Sequence, residues 1–336
     1  MSLFTRKPAR LLLATALGVT AVLAVASSAA QARPSSTNLS LVAYSTPAAA
    51  FGKIIPAFQA TPAGKDVTFK QSYGASGPQA AAVHNGLPAD VVNLSLAPDV
   101  SVLSQAGLVS TTWNKDKFGG MVTDSIVVFV VRKGNPKNIK TWNDLTKPGI
   151  QVINPNPFTS GGARWNVMAA WGAQIKQHKT PAQANSFLKA LYKNISVQDS
   201  SARASMNTFV SGKGDVLLAY ENEAIQAQQS GAKISFVRPS ATLLIENPIA
   251  VLKNSQHQAE AKAFIDFART APAQEIYAAY GYRPILKSVA DKWIKTFPVP
   301  KKLFTIREIV KGGWPVVQPK FFDPNTGIVK QIQSGS

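Results

Sequence analysis

The chain has 336 residues, 45% apolar and 16% charged, with 36 Lys and Arg against 17 Asp and Glu for a formal charge of +19. That length exceeds a comfortable single core, so two domains are expected. The absence of cysteine excludes disulfides, thiolate metal sites, iron–sulfur clusters, cysteine nucleophiles and a lipid-modified N-terminal cysteine.

The N-terminus reads as a secretory signal. Arg6, Lys7 and Arg10 precede an apolar run from Leu11 to Ala26, and Ala30-Gln31-Ala32 is an A-x-A cleavage pattern. Residues 1–32 are therefore expected to be a signal peptide cleaved after Ala32, which sends the protein across the cytoplasmic membrane. That segment holds three of the 36 basic residues and none of the acidic ones, so the remainder carries +16. Such an excess fits either a field that draws in small anions or a generally basic solvated surface. The basic residues are scattered, with only short pairs such as Lys301-Lys302, which argues against a nucleic-acid partner.

Beyond the leader, strand and helix patterns alternate. Leu39 to Tyr44 predicts a strand, Ala48 to Gln59 a helix, Val67 to Gln71 a strand, Ser76 to Asn85 a helix and Asp90 to Leu96 a strand. A long strand over Ser125 to Arg132 ends at the turn Lys133-Gly134-Asn135-Pro136. Ile150 to Ile153, Ile195 to Gln198 and Asp215 to Tyr220 follow as strands, with helices over Gly161 to Gln177, Met206 to Ser211 and Ala224 to Ser230. Strands Ile234 to Arg238 and Ile249 to Lys253, a helix Ala259 to Ala271 and a segment Ala273 to Gly281 complete the series. The alternation predicts an α/β fold built on mainly parallel sheet. With no flexible linker, two lobes are expected, joined by crossings at Thr123 to Val130 and Pro248 to Lys253 and enclosing a cleft at the carboxyl ends of the strands.

Three segments place small residues and hydroxyls before a helix: Gln71-Ser72-Tyr73-Gly74-Ala75-Ser76-Gly77, Pro157 to Trp165 with Ser160-Gly161-Gly162, and Asp199-Ser200-Ser201-Ala202-Arg203. Free N–H groups and the helix dipole at such termini favour an anion. Ordinary N-capping is the alternative for each. Catalytic chemistry finds little support. His84, His178 and His257 are far apart and lack metal-pair spacing. Ser201 has no triad signature around it, and Glu221 with Glu223 is read as a solvated loop or helix start. Trp165 and Trp171 are read as packing residues of one helix.

At the same segments the chain resembles the periplasmic sulfate-binding proteins of ABC importers. The shared text includes Gln71-Ser72, Ala89-Asp90-Val91-Val92, Val130 to Pro136, Trp142-Asn143-Asp144-Leu145, Thr159 to Asn166 (TSGGARWN), Glu221-Asn222-Glu223-Ala224 and Tyr282-Arg283-Pro284, and it runs from about Leu39 nearly to the C-terminus. The resemblance implies a two-lobed periplasmic-binding-protein fold, with 38–123 plus 250–328 as lobe 1 and 124–249 as lobe 2. It also implies a non-enzymatic, monomeric receptor without a cofactor, whose partners are sulfate and a membrane permease. Carried over residue by residue, Ser76 offers backbone and hydroxyl donors, Ser160 its hydroxyl, and Gly161, Gly162 and Ala202 their N–H groups, with Arg203 in support. Two positions depart from the family pattern: Ser45 replaces an Asp, and Tyr220 replaces the donor Trp. Thiosulfate, molybdate, tungstate or phosphate remain alternative ligands, and a secreted hydrolase using Ser201 or Glu221 is the alternative of another class.

Overall fold

The computed structural model describes residues 36–335; the expected signal peptide lies outside them. The first half of the fold alternates strand and helix. It runs β1 (Thr37–Tyr44), α1 (Ala48–Gln59), β2 (Val67–Gly74), α2 (Ser76–His84), β3 (Val91–Asn93) and α3 (Ala97–Gln105). The long β4 (Met121–Arg132) leads into β5 (Val152–Ile153), α4 (Gly161–Ile175), α5 (Pro181–Lys193), β6 (Ile195–Val197), α6 (Ala202–Val210), β7 (Val216–Tyr220), α7 (Glu221–Gln229) and β8 (Ile234–Val237). The second long strand, β9 (Ala241–Val251), is followed by α8 (Gln258–Ala268), α9 (Ala271–Ala279) and α10 (Lys287–Ala290). The chain ends with β10 (Lys302–Phe304), α11 (Ile306–Ile309), α12 (Trp314–Phe322) and α13 (Ile328–Gln333). No helix among the described residues is long and apolar enough to cross a membrane.

The strands form one path, β2-β1-β3-β9-β4-β7-β5-β6, with β10 on β9 and β8 on β4. Pairing is parallel towards both ends, where β1 joins β2 and β3 and where β5 joins β6 and β7. It is antiparallel in the middle, where β9 meets β3 and β4, and β4 meets β7 and β8. The sheet is thus mixed, and β4 and β9 are the two strands that run from one half to the other. Met121 to Ile126 pairs with Leu244 to Pro248, after which β9 continues onto β3 and β4 onto β7. The second crossing therefore begins earlier than the apolar run Ile249 to Lys253 suggests. Glu246, Asn247 and Pro248 stand just before that run, and pairing near Pro248 is irregular, with a shift between Met121 and Thr123. Proline cannot donate to the ladder, so an irregularity there is expected.

The strands bury both faces, as the period of two requires. Leu39, Leu41 and Ala43 of β1 pack on Phe51, Ile54, Phe58, Phe264 and Tyr277, while Val42 joins Val92, Leu94, Val100 and Leu103 on the opposite face. In β4, Val127, Phe129 and Val131 pack with Trp142, Trp165 and Trp171, whereas Ile126, Val128 and Val130 join Phe209, Leu217 and Ala219. Helix α4 is buried nearly all round, which places it at the centre of the second half. The C-terminal segment corrects one expectation. Phe304, Ile306, Ile309, Val317, Phe321 and Val329 belong to the cluster around α4, so residues 304–329 pack largely on the second half, with α12 also touching α3. The physical reason is the apolar surface of α4: Gly172 abuts Phe304 and Ile309, and Trp171 meets Phe321 edge-on at 5.2 Å.

Candidate functional site

The three helix N-termini picked out in the sequence converge. Tyr44, Ser45, Ala75, Ser76, Ser95, Ser160, Gly161, Gly162, Ala202 and Tyr220 line one small pocket with a cavity volume of about 10 Å³. Organic ligands usually occupy roughly 300–1,000 Å³, so this space suits a small ion. The residues arrive on the carboxyl ends of strands: β1 delivers Tyr44 and Ser45, β2 leads to Ala75 and Ser76, and β7 ends at Tyr220. Parallel α/β units direct their loops and helix starts to that edge.

Each terminus is built for backbone donation. Ser160 caps α4 and accepts from Ala163 N at 3.4 Å, and Ser201 caps α6 and accepts from Ala204 N at 3.2 Å. Capping uses the hydroxyl as acceptor, which leaves the Ser160 proton available as a donor. Gly161 and Gly162 open α4, Ala202 opens α6 and Ser76 opens α2, and first-turn N–H groups have no partner within their own helix. The glycines are required by space. A Cβ on Gly162 would lie 2.8 Å from Tyr220 Cε2, and one on Gly161 would lie 2.2 Å from Leu96 Cδ2.

Ser76 differs from expectation in one respect. Its hydroxyl proton goes to Asp99 Oδ2 at 2.6 Å, and its oxygen accepts from Ser95 N at 2.9 Å. The backbone N–H is therefore what Ser76 can direct at a ligand. Ser45 Oγ accepts from Arg203 N at 3.4 Å, and the Arg203 guanidinium reaches Thr46 O and Gln226 Oε1, both at 3.2 Å. Arg203 Nε also faces Glu223 at 3.2 Å.

None of the ten lining residues is charged. The charges stand one layer back, in pairs. Asp99 joins Arg164 at 2.9 Å. Glu221 takes Arg283 at 2.7 Å and, in a very short contact, Arg238. Glu221 and Glu223 are both fully buried, which corrects the expectation of a solvated pair. They do open a helix, and the arginines that neutralise them come from distant parts of the sequence. Burial pushes the Glu223 carboxyl above its ordinary range, against the pull of Arg203. Burial likewise raises the phenols of Tyr44 and Tyr220, so both stay protonated at neutral pH.

Contacts between the two halves surround the pocket. Gly77 N donates to Thr159 O at 3.1 Å, Arg164 reaches Asp99, and Trp165 Nε1 donates to Ser95 O at 2.9 Å. Trp165 thus binds the opposite half as well as packing.

Comparison with known proteins agrees with this architecture. Residues 39–283 match the family model described as "Bacterial extracellular solute-binding protein". The chain belongs to the bacterial extracellular solute-binding proteins. Members of that family are receptors and not enzymes. A relative from Escherichia coli (strain K12) named "Sulfate-binding protein" is 45% identical over 280 residues, 80% of this chain and 84% of that protein. A "Thiosulfate-binding protein" from the same organism is 36% identical over 287 residues, 81% of this chain and 83% of that protein. Among solved structures, the sulfate-binding protein SubI from Mycobacterium tuberculosis H37Rv superposes with a TM-score of 0.83 at 42% identity, covering 85% of this chain and all of that one.

In a solute-binding protein the hydrolase alternative loses its footing. Glu221 is fully buried and held between two guanidiniums, and Ser201 serves as a helix cap. Sequence reasoning had not marked Ser95 or Tyr44 as pocket residues, nor Asp99 and Arg164 as their support. For the last two a signal existed, since a lone Asp early in α3 and an Arg within a glycine-rich helix start both need partners when buried.

Proposed function

We propose that the pocket takes one tetrahedral oxyanion, sulfate foremost, and that the protein carries it to the permease of an ABC importer. The observation that supports this best is the convergence of the N-termini of α2, α4 and α6 on a small space without a charged side chain. A fully ionised dianion needs donors, and helix starts supply them without the dehydration cost of burying a counter-ion against it. The higher identity to sulfate-binding than to thiosulfate-binding relatives favours sulfate. In this scheme Ser160 donates its hydroxyl, and Gly161, Gly162, Ala202 and Ser76 donate backbone N–H groups. Ser45 and Tyr220 border the ion, and Arg203 ties Ser45 and Thr46 to α6. The two halves act as lobes that close on the ion, and the protein works as a monomer in the periplasm after cleavage behind Ala32.

Calorimetric titration with sulfate, thiosulfate, molybdate, tungstate and phosphate tests the proposal. Sulfate is expected to bind tightest, at one ion per chain. Preference for another ion would reassign the ligand, and binding of none would remove the pocket from consideration.

A further inference from the structure

Ser95 is held from four directions. It is 1% exposed and lies between β3 and α3. Its N–H donates to Ser76 Oγ at 2.9 Å. Its carbonyl accepts from Trp165 Nε1 at 2.9 Å and from Asn247 Nδ2 at 2.8 Å. Its hydroxyl sits 2.6 Å from the Tyr220 hydroxyl, across the junction of the two halves. A Cβ on Gly161 would come within 2.4 Å of Ser95 Oγ, so the oxygen is walled in as well as bonded. The position of this hydroxyl is fixed, and only its proton can turn.

Two hydroxyls in contact hold two protons and share one hydrogen bond, which leaves one proton over. Both oxygens border the ion pocket. If Ser95 donates to Tyr220, the spare proton is phenolic and can turn to the ion. If Tyr220 donates, the spare proton belongs to the alcohol. A phenol is the stronger acid and hence the better donor to an anion, and a bond received at its oxygen strengthens the one it gives. A dianion in the pocket therefore selects the first arrangement. In that arrangement the lone pair that Tyr220 might offer to a proton-bearing ligand is already occupied by Ser95.

We infer that Ser95 is a specificity-determining positioning residue of the ion site. By donating to Tyr220 it turns an ambivalent phenol into a group that only donates, and so disfavours an ion that brings its own proton. The inference rests on the oxyanion assignment above and adds to it a residue that acts through Tyr220.

The test is calorimetry with sulfate and with phosphate near neutral pH on the unaltered protein, Ser95→Ala, Tyr220→Phe and the double variant, with thermal melts to verify folding. Ser95→Ala is expected to narrow the preference for sulfate over phosphate by about tenfold, the worth of one hydrogen bond mismatched in a dry site. Phosphate should lose little or gain, because the freed phenol can accept its proton. With Phe at position 220, removing the Ser95 hydroxyl should change the preference by less than about twofold. Equal weakening of both ions by Ser95→Ala would mark a merely structural role and overturn the inference, as would an undiminished effect in the Phe background. If Ser95→Ala fails to fold, Tyr220→Phe decides alone: an unchanged preference overturns the inference, and a narrowed one supports it. Failure of the unaltered protein to bind either ion would instead overturn the oxyanion assignment, and this inference with it.

Discussion

Asp99 holds Ser76 at 2.6 Å through one carboxylate oxygen and Arg164 at 2.9 Å through the other. One side chain on α3 thereby fixes the start of α2 and the first turn of α4, two of the three helix ends that face the ion pocket. A carboxylate just behind an anion site would oppose the ion if left alone, and Arg164 cancels it. Asp99→Ala should leave that guanidinium buried without a counter-charge, at a cost of about 3–5 kcal/mol. Urea denaturation should show this as a lowered midpoint with unchanged slope. Asp99→Asn, which keeps an acceptor for Ser76, should lose less.

Gly162 has no room for a side chain. Its hypothetical Cβ meets Tyr220 Cε2 at 2.8 Å and Ala202 Cβ at 3.1 Å, so Gly162→Ala must push α4 from α6 at the ion. Overpacking of this kind costs about 1–3 kcal/mol, and the halves can relieve it by parting. Sulfate affinity should fall by a comparable free energy while the melting temperature changes modestly. Normal sulfate affinity in calorimetry would place the ion elsewhere.

Ser160→Ala should remove a hydroxyl donor and the α4 cap together. Loss of a donor to a charged ligand is worth about 1–3 kcal/mol, and loss of the cap about 1 kcal/mol of stability. The two effects separate by measurement, since the first appears in titrations with sulfate and the second in melts without it.

Asp124 and Glu246 stand directly opposite each other where β4 and β9 cross between the halves. Burial and then Glu246 raise the Asp124 carboxyl, against Arg283, and burial raises Glu246, against Arg307. A carboxyl raised in the folded state holds its proton where the unfolded chain has lost it. Stability contributed by that proton is present below about pH 4 and falls as pH climbs through the ordinary carboxylate range towards the folded value. Asp124→Asn lacks this loss. The variant should therefore exceed the unaltered protein in stability near neutral pH by roughly 1 kcal/mol, the scale of like charges directly opposed across strands. The advantage should shrink towards acid pH in denaturant titrations.

The parts of the site legible in the sequence are those whose signal is local. A hydroxyl followed by small residues at a helix start needs no distant partner to be recognised, and Ser160, Gly161, Gly162 and Ala202 all line the pocket. Helix α1 was legible for the same reason: Phe51, Ile54, Ile55 and Phe58 mark its buried stripe. Ser95 was not, because Leu94 and Leu96 make it look like one more strand residue. Its meaning comes from Tyr220, 125 positions away. Glu221 and Glu223 misled for a related reason, since the arginines that allow their burial lie elsewhere in the chain. Helix α5 was overlooked despite a local signal, the capping box of Thr180 and Gln183. Its strongly polar exposed face dilutes the stripe of Ala184, Leu188 and Leu191.

Selectivity for ionisation state should follow from the character of the lining. Sulfate has no proton near neutral pH, whereas phosphate keeps at least one. The pocket offers N–H groups from three helix starts and a few hydroxyls, with no carboxylate, imidazole or amine among its ten lining residues. A phosphate proton would need an acceptor there. Ser76 Oγ donates to Asp99 and already accepts from Ser95 N, and Ser160 Oγ and Ser45 Oγ each already accept one bond, from Ala163 N and Arg203 N. An unmet donor in a dry site costs about 1–3 kcal/mol, so sulfate should be preferred over phosphate by about tenfold to a few hundredfold. Sulfate affinity should also stay nearly flat from mildly acid to mildly basic pH. The only titratable groups on the pocket wall are the phenols of Tyr44 and Tyr220, and burial holds both protonated across that range. Parallel titrations of the two ions over the same pH interval check both statements. Phosphate binding as tight as sulfate would require an acceptor on the wall, and the two phenols are where it would be found: Tyr44, whose buried hydroxyl has no hydrogen-bond partner, and Tyr220, whose bond to Ser95 can be reversed.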